Sequence, residues 1–264
     1  MMRLQAARVV AVVSALGWLV LPGFGLIDLA VTWSPEWPQV LEAGWGLFFS
    51  VIVAGPFVLV ALRPDRLRAA AAQLGVAVGA LAVAAIVTWE PRLIGLAGLI
   101  VAEAGVVGFL ARGRRRVAVD ERATTSTGWS RPLLAITLLG GVPWLAYTWQ
   151  MLELDRRDAP VDLTLGIDHY AVQGAVGLAM VGLGVLAVGW PVGRRLLSVT
   201  VGITAAYFGI VSFGWPGSAG GVDPRWSVAA ILWGATVIVA GWLWPPRASP
   251  SDRAAERATF PAGR

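Results

Sequence analysis

Long apolar runs alternate with short polar breaks along almost the whole chain. A helix needs roughly 20 mostly apolar residues, at about 1.5 Å each, to cross a bilayer core about 30 Å thick. Eight segments meet this requirement, at about 9–29, 44–62, 69–89, 93–111, 132–150, 170–190, 196–214 and 226–244. The pattern therefore predicts an all-α, polytopic integral membrane protein with eight transmembrane helices.

Arginine is concentrated in every second break, which predicts the orientation of the chain. Of the 21 basic residues, all of them Arg, 17 lie in the terminal segments and in the breaks on the same side as the N-terminus. The other breaks hold Arg92, Arg156, Arg157 and Arg225 together with nine acidic residues. Because Arg is retained on the cytoplasmic side, both termini are expected in the cytoplasm. The absence of Lys and Asn fits GC-rich codon usage, so we expect a bacterial plasma membrane.

Composition limits the class of protein and its partners. With 57% apolar and 14% charged residues the chain cannot cover a water-exposed surface, so its main partner is the lipid bilayer. The net charge of +5 comes from short loops, which favours anionic lipid headgroups at the cytoplasmic Arg clusters over nucleic acid. No protein partner is predicted. There is no Cys, which excludes disulfides and thiolate sites.

The two halves of the chain match each other at an offset of 126 or 127. Trp18 falls on Trp144, Pro64 on Pro191, Arg68 on Arg195 and Gly75 on Gly202. These matches predict two four-helix halves, 1–111 and 132–246, joined by an Arg-rich linker (112–131) and followed by a disordered cytoplasmic tail (247–264). Four helices per half would make the repeat parallel. The alternative is that Pro, Arg and Trp gather at helix ends in any membrane protein.

Two local features refine this plan. The stretch from Pro22 to Gly25 is expected to kink or open the first helix near its outer end, because proline removes a backbone donor. This helix is expected to be retained, although Arg3 and Arg8 before an apolar run also suit a signal peptide. Gly75 and Gly79 form a G-x-x-x-G element, matched by Gly202 and Ala206, that is expected to pack helices closely.

Glu103 is the acidic residue that lies deep in an apolar run. It follows Arg92 by 11 residues, which is about 16 Å along a helix and close to the bilayer midplane. A carboxyl there is costly, so one interpretation is a proton or cation relay. The alternative is a structural Glu that hydrogen-bonds a neighbouring helix. Thr236 occupies the matching position in the second half.

A second polar group is expected at the outer surface. Asp168, His169 and Gln173 surround the start of the sixth helix, and Asp28 ends the first. Together they would bind a cationic or hydrogen-bonding solute, or a divalent metal. The alternative is that Asp168 is a helix N-cap and His169, the only histidine, faces water. One His beside carboxylates lacks the spacing of a dedicated metal site, so none is predicted from spacing.

Motifs for catalysis are absent from the sequence. There is no Walker A loop, no G-x-G-x-x-G in a strand–helix context, no H-E-x-x-H and no G-x-S-x-G, so neither catalytic residues nor a cofactor is predicted. The favoured function is a small-solute or proton-coupled permease. The alternatives are a non-catalytic scaffold or sensor of an envelope system and, third, a membrane enzyme acting on lipid or glycan.

Overall fold

The computed structural model describes residues 2–111, 129–157 and 162–243. Within these residues eight helices are long and apolar enough to cross a membrane: Met2–Leu19, Gln39–Leu62, Pro64–Thr88, Pro91–Ala111, Arg131–Arg157, His169–Gly189, Arg194–Gly214 and Pro224–Leu243. The prediction of eight helices with the length and hydropathy of membrane spans is confirmed. The tail at 247–264 and most of the linker lie outside the described residues.

Helices are labelled in chain order. They are α1 (Met2–Leu19), α2 (Gly25–Val31), α3 (Gln39–Leu47), α4 (Gly55–Leu62), α5 (Leu67–Thr88), α6 (Pro91–Ala111), α7 (Arg131–Arg157), α8 (His169–Gly189), α9 (Arg194–Gly214) and α10 (Pro224–Leu243). A π-helix, Phe48–Ala54, joins α3 to α4 within the second span, and a 3₁₀ turn, Pro64–Arg66, precedes α5. A two-stranded hairpin, β1 (Leu163–Thr164) and β2 (Ile167–Asp168), leads into α8.

The first apolar segment is two helices, not one. Helix α1 ends at Leu19, and α2 begins at Gly25 after a break in which Phe24 has a left-handed backbone (φ 56°). The expected break at Pro22–Gly25 is confirmed. The predicted 9–29 segment is therefore too long as a single helix, and Asp28 lies on α2 rather than at the end of α1.

The spans divide into a buried centre and a periphery. The second span, α8 and α9 are the most buried, whereas a third or less of α1, α6, α7 and α10 is buried. In the first half, α1 packs on α4 and α6, and α5 packs on α6; in the second half, α7 packs on α8 and α10, and α9 packs on α10. Contacts of α5 with α8 and of α3 with both α8 and α9 join the two halves.

Close helix packing is found in the second half and not at the predicted G-x-x-x-G of the first. Gly202 and Gly234 face each other across α9 and α10, so that a Cβ on either would lie 2.5 Å from the other's carbonyl oxygen. A Cβ on Gly75 or Gly79 would meet no atom within 4 Å, and both glycines are exposed. The expectation that Gly75 and Gly79 pack against another helix of this chain is therefore wrong.

A buried glutamine joins the two halves of the chain. Gln73 donates from Nε2 to the carbonyl oxygens of Val51 (3.2 Å) and Ile52 (3.0 Å) in the π-helix, where the wider turn changes the regular carbonyl pairing. Its Oε1 accepts from the Thr200 hydroxyl at 3.2 Å. The amide thus satisfies its own polar atoms and ties α5 to the second span and to α9.

Candidate functional site

Helix α3 brings Glu42 and Trp45 to one face at the end of the bundle that carries the hairpin. They are three residues apart, so they lie one above the other on the helix surface. Glu42 is 3% exposed and Trp45 is fully buried. The indole N–H of Trp45 donates to the Gly23 carbonyl (2.9 Å), which ties α3 to the break between α1 and α2.

The hairpin places Asp162 beside His169. Leu163 pairs with Asp168 and Thr164 with Ile167, and the two-residue turn between the strands has positive φ at Leu165 and Gly166. The His169 N–H donates to the Asp162 carbonyl at 3.2 Å, which extends the pairing by one step. Asp162 and His169 are seven residues apart in the sequence, and the hairpin therefore places them side by side.

Contacts on three sides hold the His169 ring. Its Nε2 lies 2.8 Å from the Thr164 hydroxyl, and its face stacks on Trp45 with ring centroids 4.7 Å apart. Its Nδ1 lies 3.5 Å from Asp162 Oδ2 and has no hydrogen-bond partner. His169 is 1% exposed, so the expectation that it simply faces water is wrong.

Two further carboxyl groups surround this ring. Asp162 Oδ1 accepts from the Leu163 N–H at 2.8 Å, so Oδ2 faces His169, and the Glu42 carboxyl is within hydrogen-bonding reach of Asp162. One ligand atom each from Glu42, Asp162 and His169 lies within 4.8 Å of the other two. We call these three residues the outer cluster, because the sequence predicts that this end of the spans faces outward.

Asp28 adds a fourth ionisable group beside the outer cluster. It lies on α2, is 5% exposed, and its Oδ2 has no hydrogen-bond partner. Burial, and to a smaller degree the charge of Asp162, raises the pKa of Asp28 to about 8. Among the residues that the structure describes, no arginine forms an ion pair with Asp28, Glu42 or Asp162. The site thus gathers acidic groups without a compensating cationic side chain.

Gln173 lies one helical turn below His169 on α8. It is fully buried, donates from Nε2 to the Tyr147 hydroxyl (2.6 Å), and Tyr147 in turn donates to the Gly220 carbonyl (2.6 Å). Its Oε1 has no hydrogen-bond partner and fills the space where Gly44 lacks a side chain. The polar groups of Gln173 and Tyr147 therefore lie between the outer cluster and the apolar interior.

Asp168 caps a helix, as one of the two interpretations expected. Its carboxylate accepts from the Tyr170 N–H at 3.0 Å at the start of α8. A cap of this kind satisfies a backbone donor that has no partner inside the helix. Asp168 therefore stabilises the start of α8. It is not one of the three residues of the outer cluster.

Glu103 lies apart from the outer cluster. The half-buried carboxylate accepts from the indole N–H of Trp18 (2.7 Å), and the Ser14 side chain lies close to it, so its polar neighbours lie on α1. Trp18 stacks on Phe49 in the π-helix. The structural interpretation expected a hydrogen bond to a neighbouring helix, and this bond is present. Thr236 bonds within its own helix, to the Leu232 carbonyl.

Sequence reasoning missed Glu42 and Asp162, which it counted only among the acidic residues of the outer loops. One signal was available for Glu42, because the repeat offset of 126 places Asp168 on it. No comparable signal marks Asp162.

Comparison with known protein families, with curated proteins and with solved structures finds no match for this chain. Function is therefore inferred from the arrangement of these side chains.

Proposed function

We propose that this chain is a cation-binding, permease-like protein of a bacterial plasma membrane. Its termini lie in the cytoplasm, and the outer cluster with Asp28 receives a cationic solute from the outer side. The orientation is supported by the Arg-rich breaks at the opposite ends of the spans. Anionic headgroups would bind those arginines.

The observation that carries this proposal is a set of buried and half-buried carboxyl groups that, within the described residues, have no arginine partner. Asp28, Glu42 and Asp162 come from three separate segments of the chain, and the fold keeps them together despite their mutual repulsion. Buried carboxyl groups are costly unless they are neutralised, so they are retained where a proton or a bound cation compensates them. A cation that enters this site removes the cost.

A parallel four-plus-four repeat, with halves 1–111 and 132–246, is supported by helix neighbours. The contact of α5 with α8 has its counterpart in the contact of α9 with α3. Gln73 and Thr200 are 127 residues apart, which is the repeat offset, and they hydrogen-bond to each other. Residues related by a two-fold axis touch only near that axis, so this pair fits an axis that passes between α5 and α9. Two halves around such an axis suit alternating access.

Glu103 is proposed to carry protons in this scheme. It lies 12 residues into the 21-residue helix α6, near the middle of the span, and its hydrogen-bond partners are neutral. A membrane carboxyl of this kind can exchange a proton while the cation occupies the outer cluster. Gln173 and Asp168 serve the entry site indirectly, by supporting the base of the cluster and the start of α8.

A sensor or scaffold of an envelope system is the second candidate. Large, fully buried side chains of Trp45, Phe48 and Phe49 fill the interior beneath the outer cluster. A bundle filled in this way would bind a cation at its outer end without passing it on.

Binding and uptake assays test the proposal and separate the two candidates. The purified chain is screened by thermal shift with Na⁺, Mg²⁺, Ca²⁺, Mn²⁺ and spermidine, and the cation that stabilises it is then offered to proteoliposomes with an imposed pH gradient. We expect Glu42→Gln to lose the stabilisation and the exposed Glu36→Gln to keep it. A permease should show uptake that Glu103→Gln abolishes. Stabilisation without uptake favours the sensor, and no stabilisation by any of the cations refutes the proposed site.

A further inference from the structure

We infer that the outer cluster is a binding site for a divalent first-row transition-metal ion, with Glu42, Asp162 and His169 as ligands. This inference rests on the proposed function and names the class of cation. Its evidence is the geometry of the three donor atoms, the state of the His169 ring and the chemistry of the donor set.

The distances suit an ion. Donor atoms about 2.1 Å from a metal lie roughly 3 to 4.2 Å from one another in tetrahedral or octahedral arrangements. Nδ1 of His169 and Oδ2 of Asp162 are 3.5 Å apart, and all three donor atoms lie within 4.8 Å of one another. Glu42 has three rotatable side-chain bonds, so its carboxyl can adjust to a bound ion.

The His169 ring is prepared for ligation through Nδ1. Its Nε2 is engaged by the Thr164 hydroxyl, and in the tautomer in which Nε2–H donates to Thr164, Nδ1 carries the lone pair. Metal-bound histidines usually hold their second nitrogen in such a hydrogen bond, which fixes the orientation of the ring. The stack on Trp45 fixes the ring plane from one face. The buried Nδ1, which has no hydrogen-bond partner, lies 3.5 Å from Asp162 Oδ2.

The donor set selects the class of ion. Ca²⁺ and Mg²⁺ prefer oxygen ligands throughout, whereas an imidazole with carboxylates suits Mn²⁺, Fe²⁺, Co²⁺ or Zn²⁺. The chain has no Cys, so soft thiolate coordination of Cu⁺ is excluded. Two carboxylates neutralise the charge of a divalent ion, and Asp28 lies beside them as a further carboxyl group. Three protein ligands leave positions open for water, which suits an ion that enters and leaves.

Cobalt provides the probe. Full-length protein in detergent is titrated with Co²⁺, its visible absorption is recorded, and the bound metal is counted by mass spectrometry. We expect one Co²⁺ per chain, displaced by Zn²⁺. We also expect His169→Gln and Asp162→Asn to weaken binding at least 100-fold, and Thr164→Val, which leaves the ligands in place, to weaken it about 10-fold or more. Glu36→Gln should bind as the unaltered chain does.

A ligand signature on the unaltered protein keeps the test independent of whether the variants fold. Pulsed electron paramagnetic resonance of bound Mn²⁺ should show coupling to one imidazole nitrogen. The inference is overturned if the bound ion shows no nitrogen coupling, or if folded His169→Gln binds Co²⁺ unchanged. It is also overturned if Ca²⁺ or spermidine binds while Co²⁺, Mn²⁺ and Zn²⁺ do not, in which case the proposed function stands. If no cation binds, both fail.

Discussion

Replacing Gly234 by alanine should separate helices α9 and α10. A Cβ at Gly234 would lie 2.5 Å from the Gly202 carbonyl oxygen and 3.0 Å from the Ala206 nitrogen, where ordinary contacts are 3.4–4 Å. Both are backbone atoms, so no side-chain rotation relieves the overlap. The helices must move apart by about 1 Å, and overpacking of this kind costs about 1–3 kcal/mol.

Gly75→Ala is the matched control for this change. A Cβ there meets no atom within 4 Å, and alanine is the better helix former, so we expect a stability equal to or slightly above that of the unaltered chain. Gly202→Ala should lower the stability as much as Gly234→Ala does. The double variant should lose less stability than the sum of the two single losses, because both substitutions disturb the same helix contact.

Unfolding in mixed micelles measures these differences. The chain contains 14 tryptophans, whose fluorescence reports unfolding as the fraction of sodium dodecyl sulfate rises. We expect a clear fall of the midpoint for Gly234→Ala and for Gly202→Ala, and none for Gly75→Ala. An unchanged midpoint for Gly234→Ala, or an equal fall for Gly75→Ala, would refute the assignment of close packing to α9 and α10.

Three further predictions use simpler readouts. The folded pKa of Asp28 is about 8 against an ordinary value of 3.8, so the unfolded chain binds fewer protons between these values and stability falls as pH rises from about 4 to 8. In the micelle assay with a chelator, Asp28→Asn should flatten this fall, and an equal slope in both proteins would contradict the burial of Asp28. Gln73→Leu leaves the Thr200 hydroxyl and two π-helix carbonyls without their partner, which should lower stability by about 1–3 kcal/mol in the same assay, whereas an unchanged midpoint would show the network to be dispensable. Reporter fusions at residues 120 and 160 should lie in opposite compartments, and a common compartment would refute the orientation.

The spans could be predicted from the sequence because the bilayer imposes one length on every helix that crosses it. The break at Pro22–Gly25 was also predictable, since proline and glycine act on the backbone locally. The surroundings of Gly75 and Gly79 could not be predicted from local sequence. A G-x-x-x-G spacing identifies a smooth helix surface, but it does not say whether another helix of the chain covers it.

The candidate site was only partly predictable. Asp28, His169 and Gln173 stood out because they are polar at the edge of apolar runs. Glu42 and Asp162 did not, because their role depends on distances set by a hairpin whose turn uses a positive φ at Leu165, a residue type that gives no such signal. Glu42 and Asp162 are far apart in sequence, and the packing of α3 on α8 helps to bring them together.

A continuous series of contacts joins Glu103 to the outer cluster. Trp18 hydrogen-bonds Glu103 and stacks on Phe49 with centroids 5.2 Å apart, Phe49 contacts Trp45 at 5.0 Å, and Trp45 stacks on His169 at 4.7 Å. Packed aromatic rings have few alternative arrangements, so a change at one end restricts the other.

Coupling between Glu103 and the outer cluster should therefore depend on Phe49. We expect Glu103→Gln to change Co²⁺ affinity about threefold or more, and to have no effect in a Phe49→Leu background, where the chain of rings is interrupted. The measurement is a double-mutant cycle of Co²⁺ dissociation constants at fixed pH, with Leu138→Ala, an exposed position on α7, as the control in place of Phe49→Leu. If Glu103→Gln has the same effect on Co²⁺ affinity in both backgrounds, the rings serve only as core packing. A coupling free energy that depends on Phe49 should be lost when Phe49 is replaced.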